Sequence, residues 1–193
     1  MKRKLDSAKK IAALGIMAAL IIAGKWSLVV IPNVEVVTLF CGLFGYVFGF
    51  IAIIPATIFC IEETFAWGVH TWVLVYFVHW NAVVALFALL GKLRRKPPKT
   101  IDYVLPVVCA VVITVLFGVF STFVDAVYAC IYSSFDKFFI YFGTIYARGI
   151  VFFIVHTVCN LVLFSTVFHP LAKLLFAIND KVFPPNEPMT KEP

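Results

Sequence analysis

The side chains most able to do chemistry lie in one stretch near the end of the chain, Arg148-Gly-Ile-Val-Phe-Phe-Ile-Val-His156-Thr-Val-Cys-Asn160. There, polar residues interrupt an apolar run long enough to cross a membrane. Arg148, Phe152, His156 and Asn160 stand four apart, and this spacing predicts one ridge on a helix. Charged and amide side chains are costly in lipid, so the ridge is expected to face a bundle interior, a water-filled cavity or a ligand. A guanidinium, an imidazole and a carboxamide together offer oriented hydrogen bonds in a low-dielectric cup, which is the chemistry of recognition.

Further polar residues are sparse. Glu62 and Glu63 are adjacent, hence about 100° apart on a helix. Either one faces the cup while the other pairs with Lys25 or Arg148, or both belong to structural ion pairs. His79 and Asn81 could add donors, although a lone helix histidine more often packs than binds. His169, beside Pro170, is expected at an interface. The chain lacks G-x-x-x-x-G-K-[ST], H-E-x-x-H, G-x-S-x-G and C-x-x-C. It therefore has no P-loop with which to hydrolyse ATP, and no catalytic residue, metal ligand or cofactor is expected. Cys41, Cys60, Cys109, Cys130 and Cys159 lie in or beside apolar runs and read as buried, inert thiols.

The elements that must position these groups are membrane helices. Of 193 residues, 63% are hydrophobic and only 13% charged, and the mean hydropathy is +1.02. Those values exclude an ordinary soluble domain. The net charge of +6 does not indicate nucleic acid, because the basic residues sit mainly at the edges of apolar runs, where they set orientation and attract anionic headgroups. The basic start Met1 to Lys10 resembles a signal peptide but has no cleavage site, so the first apolar run is expected to be retained.

Six spans are expected. The first, Ile11 to Val30, carries small residues four apart at Gly15, Ala19 and Ala23, with Ala8 and Ala12 as a second pair. Such a face admits another helix, from this chain or from a partner. The run from Val36 to Ile61 has no charge. If it crossed once, the basic N-terminus and the basic Gly91 to Lys99 loop would lie on opposite sides. A turn near Gly49 to Ile53 puts both in the cytosol, and Gly42, Gly45, Gly49 and Pro55 favour it. Span two is then about Val36 to Phe48 and span three about Ile54 to Ala66.

Span four covers Trp72 to Leu90 and span five Ile101 to Val124. Ser121 to Ala147, rich in Phe and Tyr, reads as an external loop in the interface. Span six runs from Tyr146 to Phe168 and continues amphipathically to Ile178. The expectation is an all-α integral membrane protein with both termini cytosolic, a single domain over 1–178 and a polar tail over 179–193. Trp26, Trp67 and Trp72 then fall at the outer interface, and Lys25, Glu35, Glu62, Glu63, His70 and Asp125 also lie on the outer side. With Arg148, His156 and Asn160 they would form a polar cup open to the outside.

The small-residue first helix, Pro32-Asn-Val-Glu-Val-Val-Thr38, Glu62-Glu-Thr-Phe-Ala-Trp-Gly68 and His156-Thr-Val-Cys-Asn160 together resemble the substrate-binding S component of energy-coupling factor (ECF) transporters, over nearly the whole chain. The resemblance implies a multi-pass subunit of a bacterial-type plasma membrane. It would bind a vitamin or related micronutrient from outside and dock through its first helix on a membrane scaffold subunit that carries two cytosolic ATPases. Ala8, Ala12, Gly15 and Ala19 would be the scaffold contact. Asn33, Glu35, Glu63, Trp67, His70, Trp72, Arg148, His156 and Asn160 would form the solute site and its gate. Relatives often carry an acidic residue three positions before the sixth-span histidine; here that position is Phe153, and Glu63 or Glu35 would take its place. The aromatic region between spans five and six favours a bulky ligand such as a corrinoid. Two alternatives come from other classes: a solitary secondary transporter or channel, although no inverted repeat is evident, and a membrane enzyme using Glu63, His70 and His156 as metal or acid/base groups.

Overall fold

The computed structural model describes residues 2–94 and 100–182, which form helices and short turns with no strand among them. The helices are α1 (Lys2–Ser27), α2 (Val37–Phe48), α3 (Ile53–Trp67), α4 (Thr71–Leu93), α5 (Thr100–Ile131), α6 (Phe138–Thr166) and α7 (Phe168–Val182). Among the described residues five helical stretches are long and apolar enough to span a membrane: Ser7–Ser27, Val37–Trp67, Thr71–Leu93, Thr100–Ile131 and Phe135–Thr166. Large apolar side chains cover the surface as well as the interior, with Phe139 84%, Ile11 71% and Val151 64% exposed. A helix that is apolar all round needs a surrounding medium that is apolar too.

The Val37–Trp67 stretch doubles back. Val37 and Phe59 line the same cavity, whereas a straight helix would hold them about 33 Å apart. A short 3-10 turn, Gly49–Ala52, makes the reversal, within the Gly49 to Ile53 region where the glycines and Pro55 place it. Gly49 supplies the backbone for it, with φ 75° and ψ −154°, a region open essentially to glycine alone.

The two legs flank α4. α2 runs beside it in the same direction, and α3 returns antiparallel to it, with Phe59 against Tyr76 and Trp80 and Trp67 against Trp72. The approach of α2 to α4 is backbone to backbone, since a Cβ on Gly45 would stand 2.5 Å from the Val84 carbonyl oxygen. α2 is accordingly the central element, buried along nearly its whole length. Phe164 and Phe168 close over it from α6 and α7, stacked on each other and packed against Phe87 of α4.

Three expectations are corrected. Ser121 to Ala147 is not an external loop, because α5 continues to Ile131 and α6 begins at Phe138. No Gly or Pro interrupts 121–131, and the aromatic side chains pair along the two helices, Phe123 with Phe138 and Phe142 with Tyr146. Only residues 132–137 connect them. The amphipathic continuation of span six is the separate helix α7, which begins after a break at Val167 and takes Pro170 in its first turn. α7 also extends past Ile178 to Val182, so the expected tail from Asn179 is helical at its start, and 183–193 lie outside the described residues. In the basic loop, Gly91 to Leu93 belong to α4 and residues 95–99 lie outside the description.

Substituting Gly49 with Ala should destabilise the bundle by ~1–3 kcal/mol through backbone strain. Gly143→Ala, at a helical position where nothing lies within 4 Å of the new Cβ, should be neutral or gain up to ~1 kcal/mol. Thermal unfolding of both variants in detergent checks the contrast.

Candidate functional site

The segment joining α1 to α2 carries the chemistry. From Leu28 to Val34 it is held by short turn hydrogen bonds, among them Ile31 N–H to the Leu28 carbonyl and Val34 N–H to the Ile31 carbonyl, with Asn33 in the left-handed region at φ 59°. This delivers Glu35, only 7% exposed, to the N-terminus of α2. There its carboxylate accepts the Thr38 backbone N–H at 2.9 Å and the Thr38 hydroxyl at 2.6 Å. An anion at that position also meets the positive end of the helix dipole.

α6 supplies the remaining partners. His156 Nε2 lies 2.8 Å from Glu35 Oε1 and donates to it, and Asn160 Nδ2 reaches the same oxygen at 3.3 Å. Asn160 Nδ2 also donates to Thr114 Oγ1 of α5 at 3.0 Å, and the Thr114 hydroxyl in turn donates to the Ala110 carbonyl at 2.7 Å. His156 is 3% exposed and Asn160 fully buried. Burial by itself would raise the Glu35 pKa, but the hydrogen bond and charge of His156 and the two bonds from Thr38 outweigh it and hold the carboxyl down to about 2.

Above this network lies a cavity of about 90 Å³. Its roof is the α1–α2 segment with Lys25 and Asn33, Glu35 and His156 are on its polar wall, and Phe59, Tyr76, Trp80 and Phe117 form its apolar wall. Aromatic rings continue outward from it in a chain of near neighbours: Trp80–Tyr76 at 5.5 Å, Tyr76–Trp72 at 5.2 Å, Trp72–Trp67 at 6.3 Å and Trp67–Trp26 at 5.8 Å. Inward, Phe117 meets His156 edge to face at 5.6 Å. Such a site can hold a small solute between rings while the carboxylate, imidazole and amide fix its orientation.

The expected site residues are only partly assembled. Asn33, Glu35 and His156 line the cavity, and Asn160 braces them from below. Trp67, His70 and Trp72 form the aromatic chain beside it, with His70 stacked on Trp72 at 6.0 Å. Glu63 is fully buried, and its oxygens make no close hydrogen bond among the described residues, but it is not on the cavity wall. Its neighbour Glu62 accepts the Trp26 indole N–H at 3.0 Å.

Arg148 is exposed and Phe152 is 46% exposed, so the four-residue ridge does not hold one face. With 3.6 residues per turn, each step of four overshoots by about 40°, and three steps separate Arg148 from Asn160 by about a third of a turn. The inward line of α6 is instead His156, Asn160 and Phe164. Phe153 packs on Tyr146 and over Gly118. Spacing gave no sign of Thr114, Tyr76, Trp80 or Phe117. Thr114 was open to suspicion as an isolated hydroxyl amid the apolar residues of α5. His79 packs its ring on Trp80 and Phe117 at 4.5 and 4.6 Å, and Asn81 bonds within the bundle to Phe77 and Thr57. Among the described residues no three His, Cys, Asp or Glu side chains converge as metal ligands.

Because the Glu35 pKa is depressed, its stabilisation is present above the ordinary value of 4.5 and is lost as pH falls toward about 2. Unfolding followed from pH 7 to pH 2 should show that acid limb in the wild type. In Glu35→Gln the limb should be flattened, with stability at pH 7 lower by ~1–3 kcal/mol.

Comparison of the chain with known protein families, with curated proteins and with solved structures gives no match.

Proposed function

We propose that the chain is the solute-binding membrane subunit of an ECF-type importer. It would cross the bilayer six times with both termini in the cytosol and take up a vitamin-type solute from outside for ATPase subunits to drive inward. The observation that carries this reading is the cavity under the α1–α2 segment, where the Glu35 carboxylate and the His156 imidazole, from distant parts of the chain, meet an aromatic wall. The absence of a P-loop from the sequence agrees with leaving ATP hydrolysis to partners.

The first helix supports the same reading. Met17, Ala18 and Ile21 face inward, while Ala8, Ala12, Gly15 and Ala19 are all exposed, and no other atom of the described chain comes within 4 Å of a Cβ built on Gly15. Among the described residues the small-residue strip is thus left uncovered. It is the surface we assign to the membrane scaffold subunit, because small residues allow close helix approach in lipid.

The cavity also bears on the solute. At about 90 Å³ it has room for about three waters at roughly 30 Å³ each, whereas sites for small molecules run from roughly 300 Å³ upward. Binding therefore requires the α1–α2 segment to lift, which separates Glu35 from His156 and offers both to the solute. A small planar molecule needs less of this movement than a corrinoid, and we favour it.

Two measurements test the proposal. Asn160→Ala should weaken solute binding in detergent by about tenfold to a hundredfold, the equivalent of ~1–3 kcal/mol for a lost buried partner. Gly15→Leu should leave solute affinity unchanged and stability within about 0.5 kcal/mol, yet abolish uptake in cells. Uptake that follows an ion gradient and persists without any ATPase subunit would overturn the importer reading in favour of a solitary transporter.

A further inference from the structure

A second cavity lies at the opposite end of α2 from Glu35. It is an open groove of about 660 Å³ where the end of α4, the start of α5 and α7 come together, with Arg94, Asp102, Tyr103, His169, Lys173 and Phe176 on its walls. None of these residues lines the solute site.

The groove is built around one guanidinium. Arg94 Cζ lies over the Phe176 ring, 3.7 Å from its centre, a cation–π contact that leaves the guanidinium's N–H groups as its means of hydrogen bonding. His169 donates Nε2–H to the Tyr103 carbonyl at 2.9 Å and stands edge-on to the Tyr103 ring at 4.7 Å, which fixes that wall. Lys173 extends from α7 and is exposed.

α7 is amphipathic in a way that suits a bilayer surface. Phe168 and Ala172 are buried against the bundle, while Leu174 and Ile178, outside it, are 56% and 42% exposed. A helix with apolar side chains on its outer side and a lysine beside a basic groove belongs at the boundary between acyl chains and headgroups.

We infer that this groove binds the phosphate of an anionic lipid headgroup. Arg94 would grip two phosphate oxygens, Lys173 would add its charge, and Tyr103 and Phe176 would cover the adjoining glycerol. Among the described lining residues two are cationic, Arg94 and Lys173, and Asp102 is anionic, a balance that suits the single charge of a phosphodiester better than a polyanion such as a nucleotide. A lipid is favoured over free phosphate as the source because the groove opens beside the exposed apolar side chains of α7.

The test uses the full chain in mild detergent, with lipid retention read by native mass spectrometry and thermal midpoint followed during titration. Phosphatidylglycerol should be retained and should raise the midpoint saturably, whereas phosphatidylcholine of the same acyl chains should be retained at least tenfold more weakly. Lys173→Glu, at an exposed position that does not endanger folding, should cut phosphatidylglycerol retention at least tenfold. Arg94→Lys, which keeps the charge but loses the two-pronged edge, should cut it severalfold. Millimolar inorganic phosphate should fail to displace the lipid. If phosphatidylcholine is held equally well, or if retention is unchanged in both variants, the site is refuted. If inorganic phosphate displaces the lipid and raises the midpoint by itself, the lipid assignment falls and free phosphate is the ligand.

Discussion

A carboxylate in an apolar bundle cannot be left bare, and the architecture around Glu35 follows from that constraint. The desolvation cost of an ionised group in a low-dielectric interior is met only when its oxygens are supplied with donors. Glu35 obtains them from the first turn of α2 and from His156 and Asn160 of α6, more than 120 positions along the chain. Through Asn160 and Thr114 the same network reaches α5. One side chain thereby ties the α1–α2 segment and three helices together, at the floor of the cavity.

That network needs α2 in the middle of the bundle, and the helical hairpin is what puts it there. Its legs of 12 and 15 residues are shorter than the roughly 20 residues that cross a hydrocarbon core unaided. Other helices surround the shorter leg, and all of it but Phe40 and Phe48 is buried. The close approach at Gly45 allows α4 to lie against α2, and the Phe87, Phe164 and Phe168 rings fill the space beyond. The site is rigid below and thin above: packed helices hold Asn160 and His156, and a short connecting segment roofs the cavity.

The two ends of α2 are chemically unlike. At its N-terminus a compact group of donors and one carboxylate meets an aromatic wall. Beyond its C-terminus an open groove gathers cations against Phe and Tyr rings. Between them the bundle is lined almost entirely by apolar side chains, as a body surrounded by lipid on its flanks and by water at its ends should be.

Much of this was legible in the amino-acid sequence, for identifiable reasons. Runs of some twenty apolar residues bounded by charge can hardly be anything but helices in lipid, and glycines followed by Pro55 mark a reversal that no other feature of the Val36 to Ile61 run would reveal. His156 and Asn160 stood out because polar groups amid apolar neighbours carry a cost that something must offset. Spacing does contain the angular drift between Arg148 and Asn160, but it could not say which arc of α6 faces the bundle, nor that α5 and α6 continue through a region whose Phe and Tyr residues look equally at home in an interfacial loop. Composition and periodicity determined the helices and their apolar surroundings, since both depend on local sequence. Only the tertiary structure decided that Glu35 is the partner of His156, that Thr114, Trp80 and Phe117 complete the cavity, and that its volume is small. Those facts arise from packing between segments far apart in the chain, and no local pattern encodes them.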